Sequence, residues 1–286
     1  MNKKILPYLL IAPVLIMIGM LYAYPLIILF KQAFSQINLV SGQSSFVGLD
    51  NFKLLFNDES FYSSLKITFN YTILTLILKI AGGFIIALFL ARGLYAQRSL
   101  SFLSLLPWAL PQVVVALLWK WILDSNYGYL NYVLKSLKLS DGNISWLSQP
   151  STAFWCASVV DAWLGVSFVA MIFLAALQAI PQSLYEAASV DGAGGLRKFF
   201  TITLPGIKKV GLVTTLLVCI WTFNSFNVIF TLTGGGPFRS TETLVIKIYQ
   251  EAYANFNIGL SSALAVLVFA LLMVLIGLFY KNIEKN

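Results

Sequence analysis

Residues 181–205 read PQSLYEAASVDGAGGLRKFFTITLP, a polar, glycine-rich, basic segment set between two long apolar runs. A connection between two membrane spans needs only a few residues, and this one is much longer. Ser183 and Glu186 have the spacing of a capping box, so a short helix is expected to start there. Ala187 and Ala188 leave that helix with little side-chain bulk, so another surface can approach it closely. Asp191-Gly192 is expected to end it, because glycine tolerates the left-handed conformation of a helix stop. Leu196–Phe200 resumes as a second short helix, and Pro205 separates it from the next apolar run. The residues alone leave two readings open: a surface on which another protein docks, or a loop that merely caps its own helices.

The flanking sequence places this segment at a membrane. The chain has 286 residues, of which 59% are hydrophobic and 10% charged, against about 25% charged in soluble domains. Its mean hydropathy is +0.83. Six apolar runs, near residues 9–30, 68–90, 101–121, 153–180, 210–232 and 260–280, are long enough for helices that cross a bilayer, which takes about 20 residues. The first follows Lys3 and Lys4, but it is too long for the apolar part of a signal peptide and no small-residue cleavage site follows it. The expectation is one all-α polytopic domain over residues 1–286 with six transmembrane helices.

Orientation follows from the positive charges. With the N-terminus inside, the inner segments hold Lys3, Lys4, Arg92, Arg98, Arg197, Lys198, Lys208, Lys209, Lys281 and Lys285 against only Glu186, Asp191 and Glu284. The outer segments hold Lys31, Lys53, Lys135, Lys138, Arg239 and Lys247, balanced by seven acids. Both termini and the 181–208 loop are therefore expected on the cytoplasmic side. The net charge of +8 is then a topology signal and needs no nucleic-acid partner. In the outer loop, Asp50 is expected to cap a short helix that lays Phe52, Leu55 and Phe56 at the interface. Thr233–Pro237, TGGGP, breaks the helix leaving the membrane, and Thr241–Phe256 reads as an outer, partly amphipathic helix.

Several chemistries lack their parts. There is no histidine, and Cys156 and Cys219 lie in apolar runs without metal or disulfide spacing. No GxxxxGK[ST] is present to cradle a nucleotide phosphate, so any ATP must be bound by another subunit. An intramembrane enzyme needs a nucleophile with a base, or a metal site, and neither is visible. A secondary transporter would be expected to carry inverted repeats and coupling acids.

The 181–205 segment also matches a family signature: EAA at Glu186–Ala188, then Gly192, then Ile202 and Leu204-Pro205 at the correct intervals. It resembles the EAA loop of permease subunits of binding-protein-dependent ABC importers. FVGLDNF, LLPWALPQVVVALLW, LTGGGP and STETLVIKIY resemble the sugar-permease branch, near the maltose and glycerol-phosphate permeases, over nearly the whole chain. The resemblance implies a type I importer fold in a bacterial or archaeal cytoplasmic membrane. Glu186, Ala187, Ala188, Asp191 and Gly192 would couple to an ABC ATPase dimer. A second homologous permease and an extracytoplasmic sugar-binding protein are the other implied partners. No cofactor is expected on this chain, ATP and Mg being held by the partner ATPase.

Polar and aromatic residues deep in the apolar runs are the candidate substrate contacts. At 1.5 Å per residue, Gln112, Asp161 with Gly165, and Trp221 to Ser225 lie roughly 12–23 Å from one end of their spans. Trp108 and Gln112 are spaced i, i+4, Asp161, Gly165 and Phe168 follow i, i+4, i+7, and Trp221 and Ser225 are i, i+4. Rings stack on the apolar face of a pyranose, and carboxylate, amide and hydroxyl bind its hydroxyls. By the resemblance, sugar contacts come from these stretches, giving Trp108, Gln112, Asp161, Gly165, Phe168, Trp221, Thr222 and Ser225, with Asn224 on another side of its helix. Asp161 can alternatively lock two helices or pair with Lys79 or Lys120, and each Trp alone can serve packing. An importer of an anionic solute such as glycerol phosphate is the alternative; Lys79 and Lys120 would favour it and Asp161 would oppose it.

Overall fold

The computed structural model describes residues 6–37, 42–92, 97–140 and 143–284; Lys3, Lys4 and Lys285 of the charge count lie outside them. In chain order come α1 (Leu6–Ile18), a π turn (Gly19–Ala23) and α2 (Tyr24–Ala33), then the short strands β1 (Ser35–Ile37) and β2 (Ser44–Phe46). They are followed by α3 (Asp50–Phe56), α4 (Glu59–Leu90), α5 (Gln97–Ala109), α6 (Gln112–Ile122), α7 (Tyr129–Ser136) and α8 (Pro150–Gln178). The chain then forms α9 (Gln182–Val190), α10 (Gly195–Lys198), a π turn (Phe199–Thr203), α11 (Leu204–Phe223), α12 (Asn227–Thr233), α13 (Leu244–Tyr253) and α14 (Ile258–Glu284). Among the described residues five helical stretches are long and apolar enough to cross a bilayer: Leu10–Ala33, Glu59–Leu90, Pro150–Gln178, Gly195–Thr233 and Ile258–Phe279. Ser99–Ala109 and Gln112–Ile122 make a sixth only as a pair bent by 93°.

That bend changes the reading of the third span. Pro111 lacks an amide hydrogen and its ring would strike the Pro107 carbonyl in a continuous helix. The residue before it, Leu110, is also pushed out of the helical region. A second helix starts after Pro111, whose ψ is 128°. Trp108 and Gln112 therefore sit on either side of a break and are not helical i, i+4 neighbours.

The chain divides into two compact units. In residues 1–63 with 247–272, the antiparallel β1–β2 pair is anchored by Asn51, which donates to the carbonyls of Ala33 (2.9 Å) and Ser35 (3.0 Å). Buried Lys247 pairs with Asp58 (3.0 Å) and donates to Ser60. Burial pushes the Asp58 carboxyl up, but the Ser60 hydroxyl and amide and Lys247 outweigh it and hold it below the usual carboxylate value. Asp50 does not cap α3. The turn from Val47 already draws it into the helix, Leu49 occupies the cap, and its carboxylate takes Lys53 at 2.8 Å. Leu55 is buried, and the Phe52 ring packs 5.3 Å from Phe34 instead of lying free at an interface.

In residues 64–246 with 273–286, two apolar clusters hold the bundle. One joins Tyr71 of α4, Val115 and Ala116 of α6, Ala157, Val160 and Leu164 of α8, and Val228, Ile229 and Leu232 of α12. The other joins Ala87 and Leu90 of α4 to Val169, Phe173 and Leu174 of α8 and Ile207 and Val218 of α11. Thus α8 is the shared spine, and α6 and α12 pack on its first half while α11 packs on its second. Pro205 does not separate α10 from α11. The π turn at residues 199–203 widens the backbone just before the proline, which makes room for its ring in a helix that runs on into α11.

Candidate functional site

Where α11 stops at Phe223 and α12 restarts at Asn227, the break faces the Leu110–Pro111 break of the third span. Gln112 and Asn227, the first residues of the two restarted helices, share a hydrogen bond of 3.0 Å from Asn227 Nδ2 to Gln112 Oε1. Backbone that leaves the helical pattern inside an apolar region is tolerated where it lines a cavity. A cavity of about 470 Å³ is present here, walled by Lys79, Trp108, Leu110, Gln112, Asp161, Leu164, Gly165, Phe168, Val218, Trp221, Asn224, Ser225, Phe226 and Asn227.

Of the residues singled out from the sequence, Trp108, Gln112, Asp161, Gly165, Phe168, Trp221, Asn224 and Ser225 reach this wall. Thr222 does not. It is buried behind the wall and accepts from Lys79 Nζ at 2.9 Å. Asn224 and Ser225 reach the wall together because the helix ends at Phe223, so helical sidedness no longer separates them. Two polar wall residues were not among the predicted substrate contacts: Lys79, named as a possible partner of Asp161 and as a cation favouring an anionic solute, and Asn227, which was not singled out. A single cation inside an apolar run was the available signal for the first.

The aromatic part is a short ladder. Trp108 and Phe168 stack with centroids 5.5 Å apart and planes 29° apart, and Phe168 meets Trp221 at 4.9 Å. Both indoles remain half open, at 52% and 50% exposure. The charged part is an ion pair: Lys79 Nζ stands 3.1 Å from Asp161 Oδ2, both side chains being 6% exposed. Tyr71 donates to the same oxygen at 3.0 Å. Gly165 gives the lysine its path, since a Cβ there would lie 2.5 Å from Lys79 Cε and 2.6 Å from Cδ.

The 181–205 segment is built as a helix with no buried residue, α9, followed by α10. The capping box does not form. The helix starts two residues early, with Pro181 at the cap, which places Ser183 inside its first turn. The stop at Gly192 does form: φ is +72°, Ala193 donates to the Ala188 carbonyl (2.8 Å) and Gly192 to that of Ser189 (3.1 Å), a Schellman pattern. Glu186, Ala187, Asp191 and Gly192 are exposed and Ala188 is half-buried. Val190 and Leu196 stand 89% and 79% exposed beside them. Two side-chain bonds fix α9 to the chain beyond it, Tyr185 to Thr203 (2.9 Å) and Lys198 to Ser189 (2.6 Å).

A helical bundle with two broken helices around a polar and aromatic cavity, and an exposed short helix pair between two spans, has the architecture of a membrane permease. The chain belongs to the family described as binding-protein-dependent transport system inner membrane component, whose model matches residues 79–286. It is 37% identical to the sulfoquinovosyl glycerol transport system permease protein SmoG of Agrobacterium fabrum, over 100% of this chain and 92% of that one. It is 32% identical to the sn-glycerol-3-phosphate transport system permease protein UgpA of the same organism, over 99% and 96%. Its fold is that of a chain in the crystal structure of a bacterial ABC transporter involved in the import of the acidic polysaccharide alginate. The TM-score is 0.88 at 22% identity, covering 99% of this chain and 96% of that chain. The protein is accordingly a non-catalytic, multi-pass permease subunit of an inner-membrane importer. It works with a binding protein, a second permease and a separate ATPase.

Proposed function

We propose that this subunit passes a sugar through the cavity at the two helix breaks and receives its drive through α9. The observation that carries the reading is the Trp108–Phe168–Trp221 ladder beside Gln112, Asp161, Asn224 and Ser225. Half-open rings offer stacking faces, and amide, carboxylate and hydroxyl offer partners for ring hydroxyls. The names of the two permease relatives support a glycosyl or glycerol-based solute. Lys79 on the wall, with the glycerol-phosphate relative and the sulfonate carried by the sulfoquinovosyl group of the other, favours an anionic solute as the second reading.

In this account both termini and α9 lie on the cytoplasmic side, which the excess of basic residues in those segments supports. Glu186, Ala187, Ala188, Asp191 and Gly192 meet the ATPase, which holds ATP and Mg. Movement of α9 passes through the Tyr185–Thr203 bond to the π turn and along α11 to Trp221, and so alters the cavity wall. Alternating access results as the cavity opens outward to the binding protein and then inward. The test is ATP-driven accumulation of labelled oligosaccharides in vesicles carrying the complete transporter. Trp108→Ala and Trp221→Ala are expected to assemble and to reduce uptake at least tenfold, roughly the worth of one lost aromatic contact. Undiminished uptake of every sugar tried would remove the cavity from the path.

A further inference from the structure

We propose that Lys79 is a specificity-determining residue of this cavity, and that its pairing with Asp161 selects uncharged ligands with neighbouring hydroxyls. The inference rests on the sugar reading above and sharpens it to a class. The wall carries one cation and one anion, 3.1 Å apart, and its other polar members, Gln112, Asn224, Ser225 and Asn227, are uncharged. Among the described residues no other ionisable side chain lines it. Lys120, the second deep cation, reaches the Thr231 carbonyl at 3.3 Å instead. The formal charge of this half of the cavity is therefore zero.

The pair still has hydrogen-bonding capacity. An ammonium has three donors; Thr222 takes one, and Asp161 stands 3.1 Å away as the ion-pair partner facing a second. Lys79 and Tyr71 both converge on Oδ2 of Asp161, so Oδ1 keeps its lone pairs. A hydroxyl both donates and accepts, so two adjacent hydroxyls can bind Oδ1 and the third ammonium proton while the pair stays closed. An anion at the same place has to compete with Asp161 for Lys79, and a cation has to compete with Lys79 for Asp161. Either leaves a nearly buried charge without its partner, which is strongly unfavourable. Gly165 maintains the arrangement by leaving the lysine stem its track.

The test is calorimetric binding to the assembled transporter in nanodiscs, with three probes of equal size: cellobiose, its 6′-carboxylate analogue and its 2-amino analogue. Wild type is expected to bind cellobiose best. Asp161→Asn frees a cation, so the carboxylate analogue gains about tenfold over cellobiose, the worth of one charge-assisted hydrogen bond. Lys79→Gln shifts preference to the amine by a similar factor, and reads the same proposal should Asp161→Asn fail to assemble. The double variant Lys79→Gln/Asp161→Asn returns the ratios toward wild type. Unchanged ratios in assembled single variants would reduce the pair to a helix lock and overturn the proposal. A wild type preferring the carboxylate would overturn it while leaving the sugar reading in place. No binding of any probe, with no sugar accumulated in vesicles, would remove both.

Discussion

Gly165→Ala puts the ion pair under a defined load. The new methyl would stand 2.5 Å from Lys79 Cε, 2.6 Å from Cδ and 2.9 Å from Cγ. Carbon atoms settle near 3.5–4.0 Å apart, so the stem has to move by about 1 Å. Three consecutive stem carbons are crowded, so turning the last bond alone gives no relief. A shift of that size carries Nζ out of range of Asp161 (3.1 Å) and Thr222 (2.9 Å). Losing a hydrogen bond to a charged group costs about 1.5–3 kcal/mol, and overpacking about 1–3 kcal/mol. The lysine shift relieves part of the overpacking, so the expected loss is about 2–4 kcal/mol rather than the full sum. The assay is equilibrium unfolding of the reconstituted protein, repeated in a Lys79→Ala/Asp161→Asn background, where the stem is gone and no charge is stranded. There the helix preference of Ala over Gly takes over, and the change is expected to be neutral or stabilising by up to about 1 kcal/mol. Equal losses in both backgrounds would refute the claim that Gly165 exists to pass Lys79.

Two further outcomes rest on the geometry. Tyr185→Phe removes the bond to Thr203 (2.9 Å) and keeps the ring, so assembly and ATP hydrolysis are expected to persist while sugar moved per ATP falls several-fold; unchanged stoichiometry in vesicles would rule out that link. The Asp58 carboxyl is held below its ordinary value by Ser60 and Lys247 against the effect of burial. The stability it contributes is therefore full above the unfolded carboxylate pKa of about 3.9 and lost only as pH falls through the lower folded value. Melting curves from pH 7 to pH 3 are expected to show an acid limb that Asp58→Asn flattens, and a limb unaffected by the substitution would contradict the pairing.

Much of this was legible in the chain because a bilayer leaves few choices. Apolar runs longer than about 20 residues must be helices, and the excess of lysine and arginine at alternate connections carries the proposed direction. The stop at Gly192 was legible because its backbone needs a positive φ. What was not legible depends on where chains meet. Pro111 marks a weak point, but only packing decides whether the helix kinks or turns by 93°. Ser183 and Glu186 have capping-box spacing, but Pro181 starts the helix first. Asp161 was a candidate for a cavity or a partner, with Lys79 and Lys120 both open as partners, and spacing alone could not choose between them. With Lys79 3.1 Å away, Asp161 bears on an anion as a competitor for the lysine and not as a lone charge. That two helix breaks would face each other through Gln112 and Asn227, residues 115 apart, has no local signal at all.

On the proposed reading, force enters at α9 and a sugar passes through the cavity. It is tested most directly by ATP-driven accumulation of labelled oligosaccharide in vesicles by the complete transporter carrying Gly192→Asp. A Cβ at residue 192 meets open space in the structure, but φ is +72° there, so the change disturbs the exposed turn and not the bundle. The account predicts a transporter that assembles and binds sugar but accumulates none when ATP is supplied. Accumulation at the wild-type rate would contradict it.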